Sequence, residues 1–170
     1  TFMALGAYKM FQNGIIVKQM KTVETLGSAT VICIDKTGTI TENTMSLAKL
    51  FSLKSNKITD LETELNEEEK ALITTSMWAS EPIPFDPMEV ALHKVYAKIM
   101  EKDERSHYKM IHEYPLSGKP PMMTHIFESK DKTIIAAKGA PEALLNICKL
   151  SDLEKNQIQN AIKELTNEGY

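Results

Sequence analysis

The sequence has no long hydrophobic run. No stretch approaches the roughly 20 consecutive apolar residues that a membrane-spanning helix needs, so these 170 residues contain no predicted span and read as a soluble piece. The first 20 residues lack the charged start and continuous apolar block of a secretion signal. Basic residues do not cluster either. The 20 Lys and Arg are scattered among 23 Asp and Glu, which leaves no positive stripe for nucleic acid and excludes it as a partner. Cysteine is scarce: Cys33 and Cys148 lie far apart, one in a predicted core strand and one on a predicted helix. That placement predicts packed, reduced thiols in a cytosolic setting, not a disulfide or a metal site. His93, His107, His112 and His125 show no metal-ligand spacing. Internal repeats and low-complexity tracts are absent as well.

What is present divides into two parts. Residues 14–18 and 30–34 read as short strands of a first lobe, and the apolar run Val31-Ile32-Cys33-Ile34 has the form of a buried parallel strand. Asp35 follows at its carboxyl end, where open α/β sheets bind ligands. A second lobe begins near residues 43–45, with a strand over 45–53 and a polar loop over 54–60. Asn66-Glu67-Glu68-Glu69 has the form of a capping box for a helix reaching residue 80. Asp86-Pro87-Met88-Glu89 repeats that form, with a proline at the first helical position, and Met88, Ala91, Leu92, Val95 and Ile99 recur at helical spacing. Residues 108–116, 122–128 and 133–138 read as three antiparallel strands. Ala140-Pro141-Glu142 opens a short helix, and Ser151-Asp152-Leu153-Glu154 caps a longer one with a buried stripe of Leu153, Ile158, Ile162 and Leu165. Trp78 and most of the ten methionines are expected in the core.

The string Asp35-Lys36-Thr37-Gly38-Thr39-Ile40-Thr41 resembles the phosphorylation signature of P-type ATPases. The preceding Lys21-Thr22-Val23-Glu24-Thr25-Leu26-Gly27 resembles the approach segment of the calcium-pump and sodium/potassium-pump branch. Lys138-Gly139-Ala140-Pro141-Glu142, Phe85-Asp86-Pro87-Met88-Glu89 and Tyr114-Pro115-Leu116-Ser117 resemble the nucleotide-binding lobe of the same family, closest to bacterial members. The resemblance covers nearly the whole chain. It implies a partial haloacid-dehalogenase-like, Rossmann-like phosphorylation domain over 1–43, with a membrane-helix stump at 1–10, followed by an α+β nucleotide-binding domain with an antiparallel sheet over 44–170. The intact pump would be embedded in the cell membrane, its transport helices and its second metal motif lying outside this sequence, with this part on the cytoplasmic side. The transported cation would then be a partner only through those absent helices, with calcium expected from the flank of the signature.

The resemblance also implies roles. Asp35 would attack the γ-phosphorus of ATP and hold the phosphoryl group as an acyl phosphate, splitting one transfer into two steps. Thr37, Gly38 and Thr39 would hold phosphate oxygens through hydroxyls and amides, and Mg²⁺ would rest on Asp35 and the Thr37 carbonyl. Related phosphatases place a second aspartate where this chain has Thr37, which argues for a lasting phosphoenzyme and against a phosphatase. In the second lobe Lys138 would face phosphate or adenine, with Gly139 allowing close approach. Glu89 would accept from the adenine amino group, although a capping box alone also explains a glutamate there. Leu116 stands where animal calcium pumps stack a phenylalanine on adenine, and it offers burial without stacking; Gly118 stands at a neighbouring basic position. A nucleotide-binding module without chemistry of its own and a phosphatase of the same superfamily remain as alternatives.

Overall fold

The computed structural model describes every residue except Thr1, Glu101, Gly118 and Pro120. The expectations for Gly118 and for the first residue of the helix stump lie outside the described residues. The chain forms two compact units, Thr1–Asn43 and Thr44–Tyr170.

In the first unit, helix α1 (Phe2–Gln12) packs on α2 (Lys21–Gly27), close enough that a Cβ on Gly6 would lie 3.0 Å from Val23. Neither of the expected strands forms. Residues 14–18 and 30–34 carry no ladder, and Val31, Ile32 and Ile34 are 77%, 73% and 60% exposed. The physical reason is pairing: a parallel strand needs hydrogen-bonded neighbours on its flanks, and the described residues of this unit offer none. The Rossmann-like sheet expected around Asp35 is therefore not formed, and Cys33 is exposed with its segment.

The second unit is mixed α/β with two small antiparallel sheets. Strands β1 (Lys49–Ser52) and β2 (Lys57–Asp60) form a hairpin; the second strand corrects the loop expected over 54–60, whose polar residues conceal a pairing partner. Strands β3 (Lys109–Tyr114), β4 (Met122–Glu128) and β5 (Thr133–Gly139) form the larger sheet in that order. Helix α3 (Glu67–Trp78) starts at the Asn66 capping box, whose side chain accepts from the Glu68 and Glu69 amides. Helix α4 (Pro87–Ile99) starts at Asp86; α5 (Pro141–Ile147) and α6 (Asp152–Asn167) follow the sheet, the last again on a capping box.

Helix α3 links two apolar clusters. Ile73 and Met77 pack with Leu50 and Tyr96, whereas Trp78 and Ala79 pack on Phe127 and Ala136 of the larger sheet. Trp78 meets Tyr108 and Phe127 edge-on, with ring centroids 4.9 and 5.0 Å away, a geometry favoured by aromatic quadrupoles. Other core expectations fail. Leu153 is 69% exposed and Ala161 is the buried residue of α6; Met3, Met20, Met45 and Met88 are exposed; Cys148, at the end of α5, is exposed too.

Candidate functional site

Along the inner face of the larger sheet, side chains pass from apolar to polar. On β4, Phe127 is followed two residues earlier by His125, and on β5, Ala136 is followed by Lys138, because alternate strand residues share one face. The chain leaving α3 crosses this face in the same order. Trp78 and Ala79 cover the apolar end, and Ser80 and Glu81 meet the polar end. Lys138 Nζ donates to Ser80 Oγ at 3.2 Å and is ion-paired with Glu89 Oε1.

Glu89 is 3% exposed, and its placement corrects one reading of the sequence. It does not reach back to complete a capping box: Asp86 alone caps α4, accepting from the Met88 amide at 2.7 Å. Glu89 turns inward, where Oε1 accepts from the Glu81 amide at 3.2 Å and from Lys138. Its Oε2 is buried and has no partner among the described residues. A buried carboxylate oxygen left unsatisfied costs free energy, so this atom is poised to accept from a ligand donor. Both groups line a cavity of about 340 Å³ with Ser76, Ser80 and the apolar Leu47, Leu50, Ile73 and Leu92. Apolar walls with a few convergent polar groups are the usual form of a small-molecule site, at the lower end of the ordinary size range.

Two expected contacts are not assembled there. Leu116 is 51% exposed in the turn after β3 and does not line this cavity. At Gly139 the close neighbours are protein: an added Cβ would lie 2.6 Å from Met122 Cβ and 2.8 Å from the Pro121 carbonyl oxygen. The missing side chain is thus needed for strand packing.

Arg105, the only arginine of the chain, escaped the sequence reading. It is 7% exposed, and its Nη1 donates to the carbonyls of Met77 at 2.9 Å and Ser80 at 3.1 Å. Met77 stands in the last turn of α3, where its carbonyl also accepts from the Ser80 amide at 3.0 Å, and Ser80 lies just beyond the helix end, so one guanidinium fixes the segment that presents Ser80 and Glu81. Asp103 clasps the guanidinium from the other side, accepting from Nε and Nη2. The Arg105 side-chain hydrogen bonds hold the Asp103 carboxyl below its usual range. An arginine two residues after an aspartate was the available signal.

A depressed folded-state pKa contributes stability that is present above the unfolded value and lost as pH falls through the folded one. Asp103→Asn is therefore expected to lower the urea midpoint at pH 7, with the difference from the parent shrinking below about pH 4. Urea melts of both proteins at pH 7 and in the acid range check this; a constant difference would contradict it.

In the other unit, residues 35–41 form an exposed looped turn. Asp35 Oδ1 accepts from the Lys36 amide at 2.7 Å, and the turn closes with the Thr41 amide donating to the Lys36 carbonyl at 3.1 Å. Gly38 has φ 74°, the left-handed region that a Cβ disfavours. Asp35, Thr37, Gly38 and Thr39 thus share one short loop. The oxygen donors that Asp35 and the Thr37 carbonyl offer are of the hard kind that suits Mg²⁺.

Comparison with known proteins adds a second line of observation. Residues 83–170, just over half of the chain, match the family described as P-type ATPase, cytoplasmic domain N. The chain is 31% identical over 98% of its length to a probable cation-transporting P-type ATPase of Mycoplasma pneumoniae, covering 18% of that protein. It is 29% identical to calcium-transporting ATPase 1 of Bacillus cereus and 30% identical to calcium-transporting ATPase 1 of Saccharomyces cerevisiae, over 98% of the chain each time and 21% and 22% of those proteins. The chain thus spans about a fifth of the length of these relatives.

Proposed function

The chain belongs to the P-type ATPases, its residues 83–170 matching the part described as cytoplasmic domain N, and from that premise we propose that it is the ATP-binding and phosphoryl-accepting cytosolic region of a membrane-embedded cation pump. The observation that carries the reading is the buried Glu89 carboxylate, with one oxygen unpartnered, beside Lys138 on an apolar-walled cavity. Both residues fall within the matched segment. In this reading Glu89 Oε2 accepts from the exocyclic amino group of adenine, the apolar wall takes the base, and Lys138 stands at the edge as a point charge toward phosphate. The nucleotide has to share Lys138 with Glu89, which favours weak binding by the chain alone, at millimolar level or about −4 kcal/mol.

Asp35 is the proposed nucleophile, its Oδ1 held by the Lys36 amide. Thr37, Gly38 and Thr39 receive phosphate oxygens. Asp35 and the Thr37 carbonyl would hold Mg²⁺, which when bound neutralises phosphate charge. Calcium is the proposed cation, a choice that the names of the Bacillus and Saccharomyces relatives favour. Within the described residues no helix is long and apolar enough to cross a membrane, so cation handling and membrane embedding are proposed for a protein of the relatives' length. The test is incorporation of acid-stable phosphate from labelled ATP on Asp35 in such a protein, dependent on the cation. For the 170 residues by themselves, the exposed and unpaired segment 31–34 before Asp35 favours a second reading, a nucleotide-binding module without catalysis.

Thr37 supplies a further prediction. An aspartate there would stand as a general base two residues from the acyl phosphate, and such groups contribute about 100-fold or more. Thr37→Asp is expected to shorten the phosphoenzyme lifetime by that order in a chase experiment; an unchanged lifetime would contradict the reading.

A further inference from the structure

The geometry points to a second site on the same sheet face: we propose that Glu81, Glu113 and His125 bind a divalent transition-metal ion of the Zn²⁺ class. Their ligand atoms all lie within 4.8 Å of one another. His125 is fully buried, at 0% exposure, and among the described residues neither ring nitrogen has a hydrogen-bond partner. Its Nε2 lies 4.0 Å from Glu81 Oε1, too far for a hydrogen bond. A buried imidazole with both nitrogens unsatisfied is costly, and an ion that binds one of them relieves part of that cost.

The backbone is built to make this cluster. A bulge in β3 between Met110 and His112 shifts the register by one residue, so that Glu113 stands opposite His125. Continued from the Met110–Phe127 pair without the bulge, the ladder would bring His112 there instead. Bulges commonly re-aim side chains in this way. The third ligand, Glu81, is delivered by the segment that Arg105 anchors: Glu81 lies next to Ser80, and its own carbonyl is 3.1 Å from His93 Nε2.

One imidazole nitrogen and two carboxylate oxygens suit Zn²⁺, with a water as fourth ligand. Bonds of about 2.1 Å in a tetrahedron separate ligand atoms by roughly 3.4 Å, so binding draws Glu81 and Glu113 inward by about an ångström. Glu113 and Glu81 are both half-buried, which leaves their side chains room to move. The site rests on these three residues and not on the nucleotide reading.

The test uses the whole chain carrying Cys33→Ser and Cys148→Ser, because the two exposed thiols would otherwise compete for metal. Calorimetric titration with Zn²⁺ is expected to give one ion per chain, and Co²⁺ in its place is expected to give the visible absorption of a four-coordinate centre. Glu113→Gln and Glu81→Gln, both outside the apolar core, should each weaken binding at least tenfold while the far-ultraviolet circular dichroism stays unchanged. Absence of stoichiometric binding overturns the proposal, as does an affinity equal to the parent's in either variant.

Discussion

Lys138→Met is expected to destabilise the second unit by about 3 kcal/mol. The substitution leaves the Glu89 carboxylate, whose side chain is 4% exposed, with the Glu81 amide as its remaining donor. Removing one partner of a buried ion pair costs about 3–5 kcal/mol because the other charge stays desolvated. The Lys138 side chain is 21% exposed, so water reaches part of the gap and the lower end applies. Adding Glu89→Gln removes the stranded charge and should restore most of the loss. Urea unfolding of the parent, the Lys138→Met and Glu89→Gln single variants and the double variant measures this, and the coupling is read from the cycle. A double variant destabilised by the sum of the two single losses would mean that the pair is not coupled.

Asp35→Asn is expected to abolish phosphate incorporation from ATP in a protein of the relatives' length. The amide is a poor nucleophile and cannot form the acyl phosphate, and no nearby group substitutes for it: Thr37 and Thr39 are hydroxyls without an adjacent base. The loss should be complete and not graded, unlike that of Gly38→Ala. At Gly38 a Cβ meets nothing closer than Asn43 at 3.8 Å, so the cost is confined to the left-handed backbone, about 1–2 kcal/mol. Acid-quenched labelling with ³²P-ATP checks the prediction; residual label on the variant would move the acceptor elsewhere.

The parts of this molecule legible in the sequence are those fixed by neighbours in the chain. The Asn66 and Ser151 capping boxes, the Asp86-Pro87 helix start and the strand run of residues 122–128 are local signals, and each marks an element that forms. Residues 31–34 mislead because their apolar character predicts a strand whose partners must come from elsewhere, and the described residues of this unit offer none. The site is legible by residue type and not by arrangement. Glu89 and Lys138 are separable candidates in the sequence, 49 positions apart; that they neutralise each other follows only from the fold. Arg105 and the β3 bulge carry no pattern that sequence periodicity detects, because their effect depends on which strand and helix end they meet.

The most direct test of the central claim is a titration of the chain with ATP followed by amide ¹H–¹⁵N resonances. Saturable shifts are predicted at Ser80, Glu81, Glu89 and Lys138, with a dissociation constant of about 1 mM, weakened at least tenfold in the Lys138→Met, Glu89→Gln double variant. Shifts confined to residues away from this cavity, or equal affinity in parent and double variant, would contradict it.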